Sequence, residues 1–380
     1  MENKISPNNF DLIRLLAASE VAALHVLSYL APVIYRSRSG GWGVIVTLLN
    51  FFPGVPIFFF ISGFLISRSY ERTISTRLYA TNRCLRIYPA LHVCVLINLI
   101  MVWATGYFTV VDAHFGGIAL LYLAKTTIVQ FYNPQFMRHF GDGVLNGSLW
   151  TVCVELQFYV LIPILYKLLS TRGARRFDVA LVCLIIFSIG INRVLYGTAA
   201  FFGHSDYWKL LRVSFLPWLY MFLTGVMVQR HFSKVASVLT KNLLWPVGGL
   251  YLAYAVLMRH IGFSFHNDIS PLLFFPLSAV VMSAAYTAPT LAKKLLRGND
   301  FSYGIYIYHV PIMDTLLYLG LKGSLWDCVA TAVLTACFAG ASWYLVEKPS
   351  LRKKRQSIHP VTAFGATVAA TEFGKESAGQ

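Results

Sequence analysis

FDLIRLLAASEVAALHVLSYL, residues 10–30, is the stretch that decides the fold. It has the length and apolarity of a helix crossing a hydrocarbon core of roughly 30 Å. Its ionisable side chains, Arg14 and His25 above all, then sit at bilayer depth. Such a placement is costly, and an intramembrane Arg or His points to function before decoration. Eleven residues at 100° per step bring His25 back to within about 20° of Arg14, roughly 16 Å further along the same face. One stripe of the helix carries a permanent cation and, three turns on, a group that exchanges protons near neutral pH. In the plainer alternative Arg14 snorkels to the headgroups and His25 bonds a neighbouring helix.

The rest of the chain resembles this stretch. Of 380 residues 57% are hydrophobic and only 13% charged, with a mean hydropathy of +0.60, so little is left for a soluble domain. Apolar runs of span length fall near 10–33, 44–66, 87–106, 148–166, 178–197, 213–229, 243–259, 271–290, 301–321 and 326–346. The expectation is an all-α integral membrane protein, a bundle of about ten transmembrane helices with both termini cytoplasmic. Residues 1–350 form the transmembrane domain, and 351–380 a basic and then disordered cytoplasmic tail, poor in large apolar residues after Pro360.

A net charge of +16 could suggest nucleic acid, but the basic residues cluster in short loops. Examples are Arg68, Arg72, Arg77, Arg83 and Arg86, then Lys167, Arg172, Arg175 and Arg176, and finally Lys348 to Arg355. With these loops inside, about 22 of the 32 Lys and Arg are cytoplasmic and basic connections alternate, as the positive-inside rule requires. Residues 107–147 are the weakest part of this scheme. Residues 116–132 tempt an eleventh span, but Lys125 interrupts them and an added crossing would turn the basic 167–176 loop outward. They are read as an external segment, with a dip into the membrane left open.

Other signals bound the function. The first apolar run is too long for a signal-peptide core, so it is expected to be retained. The six cysteines show no metal-ligand spacing and read as free thiols, so no metal is expected. There is no P-loop, no Gly-rich dinucleotide fingerprint and no internal repeat. Two further polar groups lie at membrane depth: Glu155 in SLWTVCVELQFY and His309 in SYGIYIYHVPI, the latter behind Tyr303, Tyr306 and Tyr308. Facing lipid they would be expensive, so both are placed inside the bundle. Glu155 is either the counter-ion of Arg14, a group that orients a histidine, or half of an ion pair holding helices together. His309 suits a structural or substrate-positioning hydrogen bond. Glu20, about 140° around the helix from His25, is not expected to pair with it. His309 and Asp314 match an H-x4-D signature of glycerolipid acyltransferases, but inside an apolar span and with Pro311 between them the match is discounted.

Taken together, FDLIRLLAASEVAALH, GVPIFFFISGFLIS, RCLRIYPA, SLWTVCVELQFY, SYGIYIYHVPI and WYLVEKP resemble the membrane acyltransferase-3 family, in its order, from about residue 10 to 350. The resemblance implies a ten-span bundle that moves an acyl group, usually acetyl, from cytoplasmic acyl-CoA to a hydroxyl of an exported or cell-surface carbohydrate or glycolipid. It implies His25, Arg14 and Glu155 as catalytic residues and Arg83 and Arg86 as the acyl-CoA grip, with ordinary positive-inside anchoring as the alternative for the last two. Tyr303 and His309 are expected to position substrate. Acetyl-CoA or another acyl-CoA would be a co-substrate, with no tightly bound cofactor. The expected location is the inner (plasma) membrane of a bacterium. Some members add an extracytoplasmic hydrolase-like domain. This chain ends too soon for one, so transfer is expected to finish in the membrane domain or on a separate partner. A proton-coupled transporter or flippase remains the main alternative, and a non-enzymatic scaffold that tolerates loss of His25 is the other.

Overall fold

The computed structural model describes residues 8–353 apart from 38–39, 74, 204 and 240–241. Nearly all of the tail expected at 351–380 therefore lies outside the described residues. Helices dominate, and no strand occurs among the described residues. In chain order the principal ones are α1 (Phe10–Leu30), α2 (Gly40–Asn50), α3 (Gly54–Glu71), α4 (Thr76–Ala104), α5 (Phe115–Lys125) and α6 (Leu149–Leu169). They continue with α7 (Ala174–Gly197), α8 (Leu219–Arg230), α9 (Leu244–His260), α10 (Pro271–Tyr286), α11 (Ser302–Tyr318) and α12 (Leu325–Ser342).

Each segment read as a span is helical over most of its length. Among the described residues five helical stretches are long and apolar enough to cross a membrane: Gly40–Glu71, Thr76–Ala104, Leu149–Leu169, Ala174–Gly197 and Leu325–Arg352. A sixth is added if Asp206–Arg212 and Leu216–Arg230, bent by 46°, count as one span. This is a multi-pass membrane protein. The stretch that invited an eleventh span is different in kind. α5 has 11 residues, about 16 Å of helix, which is half a hydrocarbon core.

Ser75 caps α4 by accepting the Leu78 N–H, and Ser324 with Asp327 forms a reciprocal capping box at the start of α12. Inside the bundle the harder problem is proline. A proline supplies no N–H, so the carbonyl four residues earlier loses its helical partner, and in lipid that carbonyl must be satisfied by a neighbouring helix. Pro163 frees Tyr159, whose carbonyl accepts the Tyr79 hydroxyl at 3.2 Å. Pro276 frees Leu272, which accepts the Tyr254 hydroxyl at 3.3 Å. Pro311 frees Ile307, which accepts Asn146 Nδ2 at 2.9 Å and Cys94 Sγ at 3.2 Å. These three helices thus each gain a polar tie to another part of the chain at the proline.

α1 packs on α11, α3 and α12, so the Arg14/His25 helix sits within the bundle. α3 and α8 approach most closely, because glycines remove the side chains at their crossing. A Cβ at Gly63 would stand 1.9 Å from the Phe222 carbonyl oxygen, and one at Gly225 would stand 2.1 Å from that of Phe60. Gly190 in α7 meets nothing within 4 Å. Gly63→Val is therefore expected to force the two backbones apart and cut the yield of folded protein in detergent, while Gly190→Ala keeps it. Fluorescence-detected size exclusion of the two variants checks this, and equal profiles would contradict the close crossing.

Candidate functional site

The site is built at two levels of the bundle, joined by one helix face. At the lower level lies the turn before α11. Asp300 folds back so that its Oδ1 accepts both the backbone N–H and the hydroxyl of Ser302, an Asx-type turn. Its Oδ2 then receives Arg14 Nη1 at 3.0 Å and Arg86 Nη2 at 2.5 Å. Glu347 lies 3.9 Å from Arg86 and is itself steadied by the Ser342 hydroxyl at 3.1 Å, across a wide turn at Trp343–Glu347. From the same turn Trp343 Nε1 and Lys348 Nζ both donate to Asn299 Oδ1, clasping the loop that carries Asp300. Two cations and two anions from four distant segments thus close on one another.

Arg14 is therefore the partner of Asp300, and Glu155 is not its counter-ion. Glu155 accepts the Ser62 hydroxyl at 3.2 Å and the Tyr159 hydroxyl at 2.9 Å. Asp300, the centre of this cluster, is not among the residues that the sequence singles out. Its signal was the Asp300-Phe-Ser302 turn pattern at the start of a helix, which gives no hint of two arginines arriving from elsewhere. Arg86 is spent on the carboxylates. Arg83 donates to Ser69 Oγ at 3.1 Å and stands over the rings of Tyr79 and Tyr159, 5.9 and 5.7 Å from their centroids.

Above this cluster a pocket opens between α1, α3, α6 and α11. Arg14, Glu155, Ser62 and Ser302 give it a polar side, and Val55, Phe58 and Phe59 an apolar one. Tyr303 and Tyr306 close the α11 side. Tyr303 donates to the Ile87 carbonyl at 3.3 Å, and the Tyr306 hydroxyl meets that of Thr151 at 2.6 Å.

Tyr306 also leads to the upper level, since its ring lies edge-on to His309 at 5.9 Å. His309 is fully buried, and its Nε2 lies 3.0 Å from Nδ1 of the partly exposed His25. The sequence reading had these two histidines in separate spans without joining them. Glu20 does not pair with His25. Its Oε2 accepts the Gly54 N–H at 2.8 Å, a carboxylate at a helix N-terminus. Asp314 turns away from His309 and accepts the Asp142 N–H at 3.1 Å, so the H-x4-D residues do not act as a pair. That contact brings the 107–147 segment down onto α11, where Lys125 is buried and donates to the Gln130 carbonyl at 2.8 Å. Among the described residues no cluster of His, Cys, Asp or Glu could hold a metal ion.

Burial by itself would raise the Asp300 carboxyl, but Arg86 and then Arg14 outweigh it and hold it well below the usual carboxylate range. A depressed folded-state pKa contributes stability above the unfolded value of about 4, lost only as pH falls through the lowered one. Asp300 should therefore stay ionised throughout pH 5–8, a range in which it contributes no slope to stability. Asp300→Asn removes the carboxylate that Arg14 and Arg86 share, leaving Arg86 only the more distant Glu347, and should cost about 3 kcal/mol. A thermal shift of the purified protein against wild type at pH 7 measures it, and an unchanged melting temperature would show that the cluster is dispensable.

Comparison with known proteins places this arrangement. A family model described as an acyltransferase domain matches residues 8–346. Nodulation protein 10 of Rhizobium leguminosarum bv. viciae is 33% identical over 91% of this chain and 93% of its own length. The O-acetyl transferase of Shigella phage Sf6 is 25% identical over 91% of this chain and 96% of its own. The peptidoglycan O-acetyltransferase OatA of Listeria monocytogenes is 24% identical over 80% of this chain, which spans only 53% of that longer protein. No solved structure matches the chain.

Proposed function

Since the chain belongs to the acyltransferase-3 family, we propose that it is a membrane O-acyltransferase. In this reading it moves an acyl group, acetyl by preference, from cytoplasmic acyl-CoA to a hydroxyl of an exported or cell-surface carbohydrate. Acetyl transfer is suggested by relatives named as O-acetyltransferases, and the carbohydrate acceptor by those named for peptidoglycan. All ten apolar segments are taken as spans, with both termini in the cytoplasm of a bacterial cell and the basic loops on the same side.

The observation that carries the mechanism is the stacking of the two levels along α1. Arg14 lines the cavity, and His25 stands above it, beyond the Tyr306 wall and against His309. The nucleotide of acyl-CoA would remain near the cytoplasmic arginines, with Arg83 the better placed of the pair because Arg86 already serves Asp300 and Glu347. The pantetheine arm would enter along the polar and apolar walls, past Tyr303, and bring its thioester toward His25. Neutral His25 would take the proton of the acceptor hydroxyl as that oxygen attacks the thioester carbonyl. Collapse of the tetrahedral intermediate breaks the C–S bond. The departing thiolate recovers the proton from His25, so ester and free thiol form with no net proton change. Arg14 and Glu155 set the field of the cavity, where water-excluded charges act more strongly than in solution. The acyl group would cross the membrane while the coenzyme stays inside.

The test is label transfer from acetyl-CoA into cell-surface carbohydrate, using membranes that hold wild type or His25→Ala. Wild type should incorporate label and His25→Ala should lose at least ~100-fold, the usual weight of a general base. Full incorporation by a folded His25→Ala would remove that residue from the chemistry.

A further inference from the structure

We infer that His309 is a positioning residue that locks His25 in one tautomer, with the proton on Nδ1 and the basic lone pair on Nε2. This rests on His25 being the base. The argument starts from an atom that has no choice. His309 Nδ1 lies 3.1 Å from the Ile305 carbonyl oxygen, one helical turn back, and a carbonyl oxygen only accepts. His309 Nδ1 therefore carries a proton. A neutral imidazole has one N–H, so His309 Nε2 presents a lone pair, and the nitrogen facing it at 3.0 Å, Nδ1 of His25, must donate. That leaves Nε2 of His25 unprotonated and, among the described residues, without a hydrogen-bond partner. A ring flip of His309 would replace both nitrogens by carbons and lose both contacts, so the ring orientation is settled by its two neighbours.

The competing assignment, a doubly protonated His309 donating to His25, would put an imidazolium in a fully buried position. Of the carboxylates on the same two helices, Asp11 lies fourteen residues before His25 at the foot of α1, Glu20 is engaged with the Gly54 N–H, and Asp314 with the Asp142 N–H. Neutral His309 instead follows His25 through the reaction. Once His25 Nε2 has taken the acceptor proton, its Nδ1–H···Nε2 bond to His309 becomes charge-assisted and therefore stronger than in the ground state. The role is that of the carboxylate in a Ser-His-Asp triad, filled here by an uncharged acceptor, and its effect should be correspondingly smaller.

Two variants and one spectrum test this in the full-length protein. His309→Gln keeps an acceptor oxygen in reach of His25, whereas His309→Leu fills a similar volume without one. At saturating acetyl-CoA, His309→Leu should lose at least ~10-fold in the rate of label transfer, with KM for acetyl-CoA changed little and His309→Gln recovering most of the rate. In wild type with nitrogen-15 histidine, assigned with His25→Gln, solid-state NMR in bilayers should show His25 bare at Nε2 and protonated at Nδ1. His309→Leu should mix the two tautomers. A wild-type His25 protonated at Nε2 would overturn the inference without touching the base assignment, as would a His309→Leu protein with wild-type rate. Full activity in His25→Ala would instead remove the base assignment on which the inference stands.

Discussion

Asp300 is the point on which the arrangement depends. One carboxylate, fixed by its own turn at Ser302, receives guanidinium groups from α1 and α4, while Glu347 approaches Arg86 from beyond α12. Positions 14, 86, 300 and 347 are thereby drawn to one place. The cost of holding these charges away from water is offset only while all of them are present, so each residue constrains the others. Because Arg14 is tied at its foot, the face of α1 is set in rotation, and His25 three turns on is delivered to His309 and not to lipid.

Proline gives the bundle a second kind of order. Four helices carry a proline inside their length, at Pro89, Pro163, Pro276 and Pro311, and at the last three the freed carbonyl is taken up by a tyrosine, asparagine or cysteine from another segment. In water such carbonyls would be solvated and carry no information. In a bilayer they are obliged to find protein donors, so they act as specific joints. The joint at Ile307 lies beside the His25–His309 contact: Asn146 and Cys94 hold α11 there, half a turn before His309. Rigidity at that point suits the positioning role proposed for His309.

Much of the site was legible from side-chain type and depth. Arg14, His25, Glu155 and His309 stand out because charge and hydrogen-bonding capacity are rare within apolar runs, and all four prove to be inside the bundle. Tyr303 is at the cavity wall as its place in α11 suggests. Pairings were not legible. Arg14 has Asp300 and not Glu155, and the two arginines three apart at the start of α4 divide, one into the ion cluster and one beneath two tyrosine rings. Asp300 escaped notice because it lies in a turn, where an aspartate is ordinary.

The sequence by itself determined the class of structure: helices of membrane length, a Lys125 that stops residues 116–132 from forming a crossing, and one face of α1 carrying both a cation and an imidazole. Those properties follow from local periodicity and transfer energy, which each segment carries alone. Only the tertiary structure decided which residues meet. Whether the imidazole of His25 finds a carboxylate, a carbonyl or a second imidazole depends on which helix lies against α1 and in what rotation. That is fixed by contacts between residues hundreds of positions apart, the Asp300 bridge and the glycine crossing of α3 and α8 among them.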